Sequence, residues 1–227
     1  VAGSSPVRCA TYIIPLIYSS NISYLCYYCS MKHNHALFIV YLAIWFYLAV
    51  DPWYRDDWFL ENILVFITLP IVIWSNRLIT FSAASGWALF LFFSLHAIGA
   101  HYTYSEMPLL SSFNEFFGFE RNHYDRIIHF LFGLLLFPPM YELFASFAKL
   151  RQNAILVTFL LLITMSSIYE VFEWLATELT HPELGSAFLG MQGDEWDAQK
   201  DMACGYLGTL FATLLWYRKI LKSSKTS

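Results

Sequence analysis

Charge is what this sequence has least of. Only 13% of its 227 residues are Asp, Glu, Lys or Arg, where a soluble domain carries about a quarter. That leaves too little polar side chain to cover a globule in water. Thirteen basic residues against 17 acidic give a formal charge of −4 and no basic field to hold nucleic acid. Four cysteines in a chain of this length exclude a disulfide scaffold. The period-two alternation of a membrane β-barrel is missing, and no internal repeat stands out. Ser166-Ser167 lack the Gly-x-Ser-x-Gly setting of a nucleophile elbow and are expected to bond backbone or neighbouring helices. What remains is 58% hydrophobic and 19% aromatic. The expected solvent, and the first partner, is the lipid bilayer.

Residues 1-30 mix Ser, Tyr, Cys and Pro without periodicity and read as an upstream extension outside the fold, with Met31 as the expected start. Cys26, Cys29, His33 and His35 straddle that start and match no common zinc-finger spacing closely. Residues 31-220 read as a single transmembrane domain, and 221-227 as a cytoplasmic tail. The fold class is all-α, a polytopic membrane bundle of about six transmembrane helices. The apolar runs lie at about 36-50, 59-75, 84-104, 124-148, 153-177 and 200-217. Pro138-Pro139 should kink the fourth run and open space beside it.

Six spans put both termini on one side. Lys32, Arg77, Lys149, Arg151, Arg218, Lys219, Lys222 and Lys225 fall at the termini and even connections, against Arg55, Arg121, Arg126 and Lys200 at the odd ones. The positive-inside rule then places both termini in the cytoplasm of a bacterial inner membrane. Every acid except Glu142 falls at the outer side.

Several of those acids lie inside apolar runs, where an ionisable group is costly and points to function. Asp125 and His129 stand at i and i+4 at the start of the fourth run, with Arg126 beside them. Glu170 and Glu173 stand at i and i+3 at the end of the fifth. Asp194, Asp197 and Asp201 form one stripe at the start of the sixth, with Lys200 nearby, and Gly205 and Gly208 extend it for close helix packing. Glu61, His96, His101, Tyr104 and Glu106 fall in the same layer. Tyr102, Tyr104, Tyr124, Trp174 and Trp196 are expected to form an interfacial girdle. Alternation of span direction brings all these groups to one side.

Imidazole with carboxylate oxygens suits a divalent metal, which could clamp a phosphoryl group. The expected ligands are Asp125, His129, Glu170, Glu173, Asp197 and Asp201. Of these, Asp125, His129, Glu170, Glu173 and Asp201 are expected to be catalytic, with His101, Glu106, Arg126, Asp194 and Lys200 holding substrate. The same groups could instead serve proton transfer. Taken singly, Asp125, Asp197 or Asp201 could be no more than helix caps.

At these motifs the chain resembles a known group. Asp51-Pro52, Trp58-Phe59-Leu60-Glu61-Asn62, His101-Tyr102-Thr103-Tyr104-Ser105-Glu106-Met107-Pro108, Tyr124-Asp125-Arg126-Ile127-Ile128-His129, Ser167-Ile168-Tyr169-Glu170-Val171-Phe172-Glu173-Trp174 and Gly193-Asp194 through Trp196-Asp197 to Lys200-Asp201-Met202 look like the YjdF-type family of bacterial inner-membrane proteins. The resemblance spans about residues 36-217; it implies membrane topology and names no substrate. A fainter one is to VanZ-like membrane proteins, through Asp125-Arg126-x-x-His129, Glu170 and Asp201-x-x-x-Gly205. Glu173 and Cys204 depart from that pattern. VanZ-like proteins act at the cell envelope, which hints at a lipid-linked or envelope substrate.

The reading that joins these observations is a membrane protein with an acidic, His-containing pocket at the outer face. One use is a metal-dependent hydrolase or transferase acting on a lipid-linked or envelope substrate. The alternatives are a transporter or cation- or proton-binding protein, and a structural protein held by an ion-pair network.

Overall fold

The computed structural model describes residues 20–179 and 192–224. They form six long helices and one short one: α1 (Ser20–Ala49), α2 (Arg55–Leu78), α3 (Ala83–Tyr102), α4 (Ser111–Phe117), α5 (Tyr124–Phe147), α6 (Arg151–Leu179) and α7 (Asp197–Ser224). Single 3-10 turns, Tyr104–Glu106 and Pro108–Leu110, fill the α3–α4 connection, and no strand occurs among the described residues. Each apolar run matches one long helix, three of them running one or two residues past its C-terminal end. α2, α3, α5 and residues Arg151–Ala176 of α6 are long and apolar enough to cross a membrane. α1 packs on α3, and α7 packs on both α5 and α6.

Local chemistry sets the helix ends. Asp51, at a positive φ of 55°, turns the chain out of α1. Asp56 and Asp57 then sit in the first turn of α2, where carboxylates meet the positive end of the helix dipole. Ser82 caps α3 by accepting from the Ser85 N–H at 3.2 Å. Asn122 Oδ1 accepts from Tyr124 N–H at the start of α5, and Asp194 Oδ1 from Trp196 N–H before α7, both at 3.1 Å.

The exposed positions are apolar along whole helix faces: Phe66, Ile67, Ile71 and Trp74 on α2, Leu156, Leu160 and Ile168 on α6, Leu207, Leu210, Phe211 and Leu214 on α7. In water such faces would drive aggregation, whereas in a bilayer they meet their own kind. Inside, one apolar cluster joins Tyr41, Val65, Phe92, Phe93, Tyr104, Met107, Tyr124 and Ile128. A second joins Phe137, Tyr141, Ala154, Ile155, Leu162 and Ala212.

α5 runs as one helix through Pro138 and Pro139, and the neighbouring Phe137 is fully buried. The expected girdle needs correcting. Of the expected girdle, Trp174 and Trp196 are exposed, but Tyr104 and Tyr124 are core residues. Tyr124 donates to Leu95 O at 2.8 Å, and Tyr104 shares a hydrogen bond with His96 Nδ1. An amphipathic ring next to a helix end satisfies either place. Here the 3-10 turn at Tyr104–Glu106 folds the chain back over α3 and carries Tyr104 inward.

Close packing of α5 on α7 fixes the depth at which their polar residues meet. A Cβ on Gly133 would strike the Gly205 carbonyl and Thr209, one on Gly208 the Phe130 carbonyl, and one on Gly205 the Ser166 hydroxyl. The absent side chains let the backbones touch, as small residues do between membrane helices. At the far end of the bundle, Glu142 accepts from Ser82 N–H at 2.9 Å and Ser82 Oγ at 2.6 Å. Among the described residues, the one acid on that side thus anchors α5 to the start of α3.

Candidate functional site

The first turns of α2, α5 and α7 and the last turns of α3 and α6 meet at one end of the bundle. Glu61, His129, Glu170, Glu173, Asp197 and Asp201 are each at most 7% exposed. His129 Nε2 lies 3.4 Å from Asp125 Oδ1 and 3.3 Å from Glu170 Oε1. Ligand atoms of His129, Glu170 and Glu173 fall within 4.8 Å of one another, and so do those of Asp125, Asp197 and Asp201. The Asp125–His129 contact joins the two sets.

Asp125 caps no helix. The residue ahead of α5 is His123, which makes no capping bond, and the Asp125 carboxylate turns to His129. The capping at α7 falls to Asp194, which leaves Asp197 and Asp201 to face inward.

The cations sit on one flank. Arg126 Nη2 reaches Asp194 at 2.7 Å and Asp197 at 3.1 Å, and its Nε lies 3.7 Å from Asp201. Arg121 bonds Asp197 at 2.6 Å. The exposed Lys200 bonds Asp194 at 2.6 Å. Lys200 and Arg126 together hold the Asp194 carboxyl well below the usual carboxylate range. Burial, with Arg126 and Arg121 close by, pushes His123 down.

Two groups that the spacing argument passes over as ligands join the site. Glu61 accepts from Tyr169 O–H at 3.1 Å, and its carbonyl lies 3.2 Å from His96 Nε2. Arg121 is the second. For Glu61 a signal was present, an acid seven residues into an apolar helix. Nothing in the spacing singles out Arg121, which precedes α5 in a loop.

His101 and Glu106 lie elsewhere. His101 Nδ1 pairs with Leu48 O at 2.7 Å, and Glu106 accepts from Tyr54 O–H at 3.2 Å. Glu106 raises the Tyr54 phenol, which keeps it a donor. His101 thus ties the end of α3 to the last turn of α1, and Glu106 ties the turn after α3 to Tyr54 ahead of α2. Thr103, held at a φ of 64° that a β-branched residue rarely adopts, donates to the buried Asp57 at 3.0 Å.

A cavity of about 230 Å³ opens between α2 and α6, floored by α3 and α5. Glu61, Asp125, His129, Tyr169 and Glu173 line its polar end, and Ile63, Leu64, Ile67, Phe132, Met165, Ile168 and Phe172 line the rest. Ser166 also lines it; its hydroxyl is buried and has no hydrogen-bond partner. Ser167 instead bonds Ile163 O and the Tyr206 hydroxyl.

The inner membrane protein YjdF of Escherichia coli (strain K12) is 28% identical to the chain over 166 residues, covering 72% of the chain and 79% of YjdF. No solved structure matches significantly. A family model, DUF2238, predicted membrane protein, matches residues 33–222, a range that contains the whole cluster. The chain therefore belongs to the DUF2238 family of membrane proteins.

Proposed function

We propose that the chain is a bacterial inner-membrane enzyme, with all six long helices spanning, both termini cytoplasmic and the cluster at the outer face. It would bind divalent metal there and carry out hydrolysis or group transfer on a lipid-linked or envelope substrate. One observation carries this reading. Six carboxyl groups (Glu61, Asp125, Glu170, Glu173, Asp197 and Asp201) converge on two guanidiniums and one imidazole. Buried carboxylates in such excess need cations or protons, and the donor set of one imidazole nitrogen with carboxylate oxygens suits a divalent ion.

His129, Glu170 and Glu173 would hold one ion, and Asp125, Asp197 and Asp201 a second or a shared one. A bound ion would supply a polarised phosphoryl or carbonyl oxygen and a water acidic enough to attack near neutral pH. Asp125 orients the His129 ring, Tyr169 orients Glu61, and Arg126 fixes Asp197 and Asp201. Glu61, lining the cavity, stands where a general base would take a proton from water.

Metal content of the purified protein tests this. Wild type should hold at least one divalent ion per chain, and His129→Ala and Asp201→Asn should lose it while keeping their helical content. No bound ion after equilibration with magnesium, manganese and zinc would sink the reading. A second reading, a structural ion-pair network, is favoured by the two arginines sharing Asp197. It requires His129→Ala to leave cellular function intact in a correctly folded protein.

A further inference from the structure

The cavity has two chemistries along one axis. From Glu61 to Thr68 it follows α2 for about 10 Å, and from Glu173 back to Met165 it follows α6 for about 12 Å, at 1.5 Å per residue. The carboxylates and His129 occupy only the start of that length. Beyond them the walls are Leu64, Ile67, Phe132, Met165, Ile168 and Phe172. Ile67 and Ile168 are 58% and 61% exposed, so this part opens sideways, through faces that meet lipid, and not only at the bundle end.

Size narrows the occupant. About 230 Å³ is below the roughly 300–1,000 Å³ of sites that engulf a drug-sized ligand. The site therefore admits one part of a larger molecule whose remainder lies outside along the Ile67 and Ile168 rim. A water-soluble substrate would have to desolvate its polar atoms against those apolar walls without return. An amphiphile loses nothing there, because its chain passes from bilayer to protein hydrocarbon. The buried Ser166 hydroxyl, without a partner and lining the same cavity, supplies an open hydrogen-bonding position beyond the carboxylate end.

We infer that the slot between α2 and α6 admits from the bilayer the hydrocarbon chain of a lipid whose phosphoryl headgroup rests at the Glu61, Asp125, His129 and Glu173 end. The headgroup assignment rests on the divalent-ion reading above, since a phosphate meets this cluster only across a cation; the chain site rests on the slot alone. Two kinds of lipid share this chemistry, diacyl phospholipids and single-chain polyprenyl phosphates.

The test uses the full chain, stripped of lipid in detergent and incubated with magnesium and either dioleoyl phosphatidylglycerol or a polyprenyl phosphate. Lipid retained after washing is counted by native mass spectrometry, and metal content is measured in parallel. Wild type should retain about one molecule of one of the two lipids per chain. Ile67→Trp with Ile168→Trp, both at exposed positions that tolerate bulk, should cut retention about tenfold, equivalent to about 1.4 kcal/mol, with metal content and helicity unchanged. If the double variant is poorly folded, Ile67→Phe alone replaces it, with a smaller loss expected. Metal bound with no lipid retained, or with retention equal in wild type and variant, overturns the slot and leaves the metal reading standing. Slot-dependent retention with no metal bound supports the slot and overturns the metal reading.

Discussion

At the scale of the residue, Arg126 carries the most. It reaches Asp194, Asp197 and Asp201, two of them almost fully buried. Losing one partner of a buried ion pair strands the other, at about 3–5 kcal/mol. Arg126→Gln should therefore lower the melting temperature in detergent sharply, and Arg126→Lys should recover little, since a point charge cannot fork to three carboxylates. Near-equal melting of wild type and Arg126→Gln would show that Arg121 and protonation carry the balance instead. His123 gives a second measurement. Its folded pKa is lowered by burial and by Arg126 and Arg121, so as pH falls below about 6.5 the unfolded chain takes up a proton that the fold resists. Stability should fall between pH 7.5 and 5.5, and the fall should be smaller in His123→Gln. Asp194 runs the same way, but in a lower pH range. Its depressed carboxyl contributes stability above about pH 4, the unfolded value, which is lost only as pH falls through the lower folded one. A Lys200→Met effect on melting should therefore be flat across that same window.

At the scale of the element, the glycines of α5 and α7 set whether the cluster can form. A Cβ at Gly133 meets backbone on α7, which has no flexible end to move aside. Gly133→Ala should cost about 1–3 kcal/mol and draw Asp201 away from His129, weakening metal binding as well as lowering the melting temperature. Unchanged metal binding would mean that the helix ends adjust independently of the crossing. The six long helices and the one-sided gathering of Asp125, His129, Glu170, Glu173, Asp197 and Asp201 are legible in the sequence. Continuous apolar runs name the helices, and alternating direction leaves the polar ends no other place to meet. Gly205 and Gly208 in register with Asp201 foretell the close crossing, though their partner Gly133 does not stand out. What is not legible depends on tertiary partners. His101 and Glu106 share the layer of the site but bond Leu48 at the end of α1 and Tyr54 ahead of α2, because the cap at Thr103 turns the chain there. The fate of Tyr104 and Tyr124 turns on a 3-10 fold-back that no periodicity encodes.

At the scale of the whole molecule, the segregation of charge makes orientation testable. At the acidic end Arg121, Arg126 and Lys200 are all bonded to carboxylates, whereas Arg55 donates to the Ala49 carbonyl, so three of the basic groups there serve the site. At the other end Arg77, Lys149, Arg151 and Arg218 are exposed, and under the positive-inside rule such residues mark the expected cytoplasmic side. Acids weigh little in that rule, which is why the cluster can be so acidic without setting the topology. The proposed orientation therefore expects the C-terminus inside. A green fluorescent protein fused after residue 224 should fluoresce, and alkaline phosphatase at the same place should be inactive. Fused after Gly118, at the end of α4 and on the opposite side, the two reporters should exchange behaviour. The site accounts for Arg121, Arg126 and Lys200 as ion-pair partners, so their neutral variants should leave the reporter pattern unchanged. An inverted pattern in wild type would put the carboxylates in the cytoplasm and remove the envelope-facing substrate, while leaving the cluster's geometry and its metal test untouched.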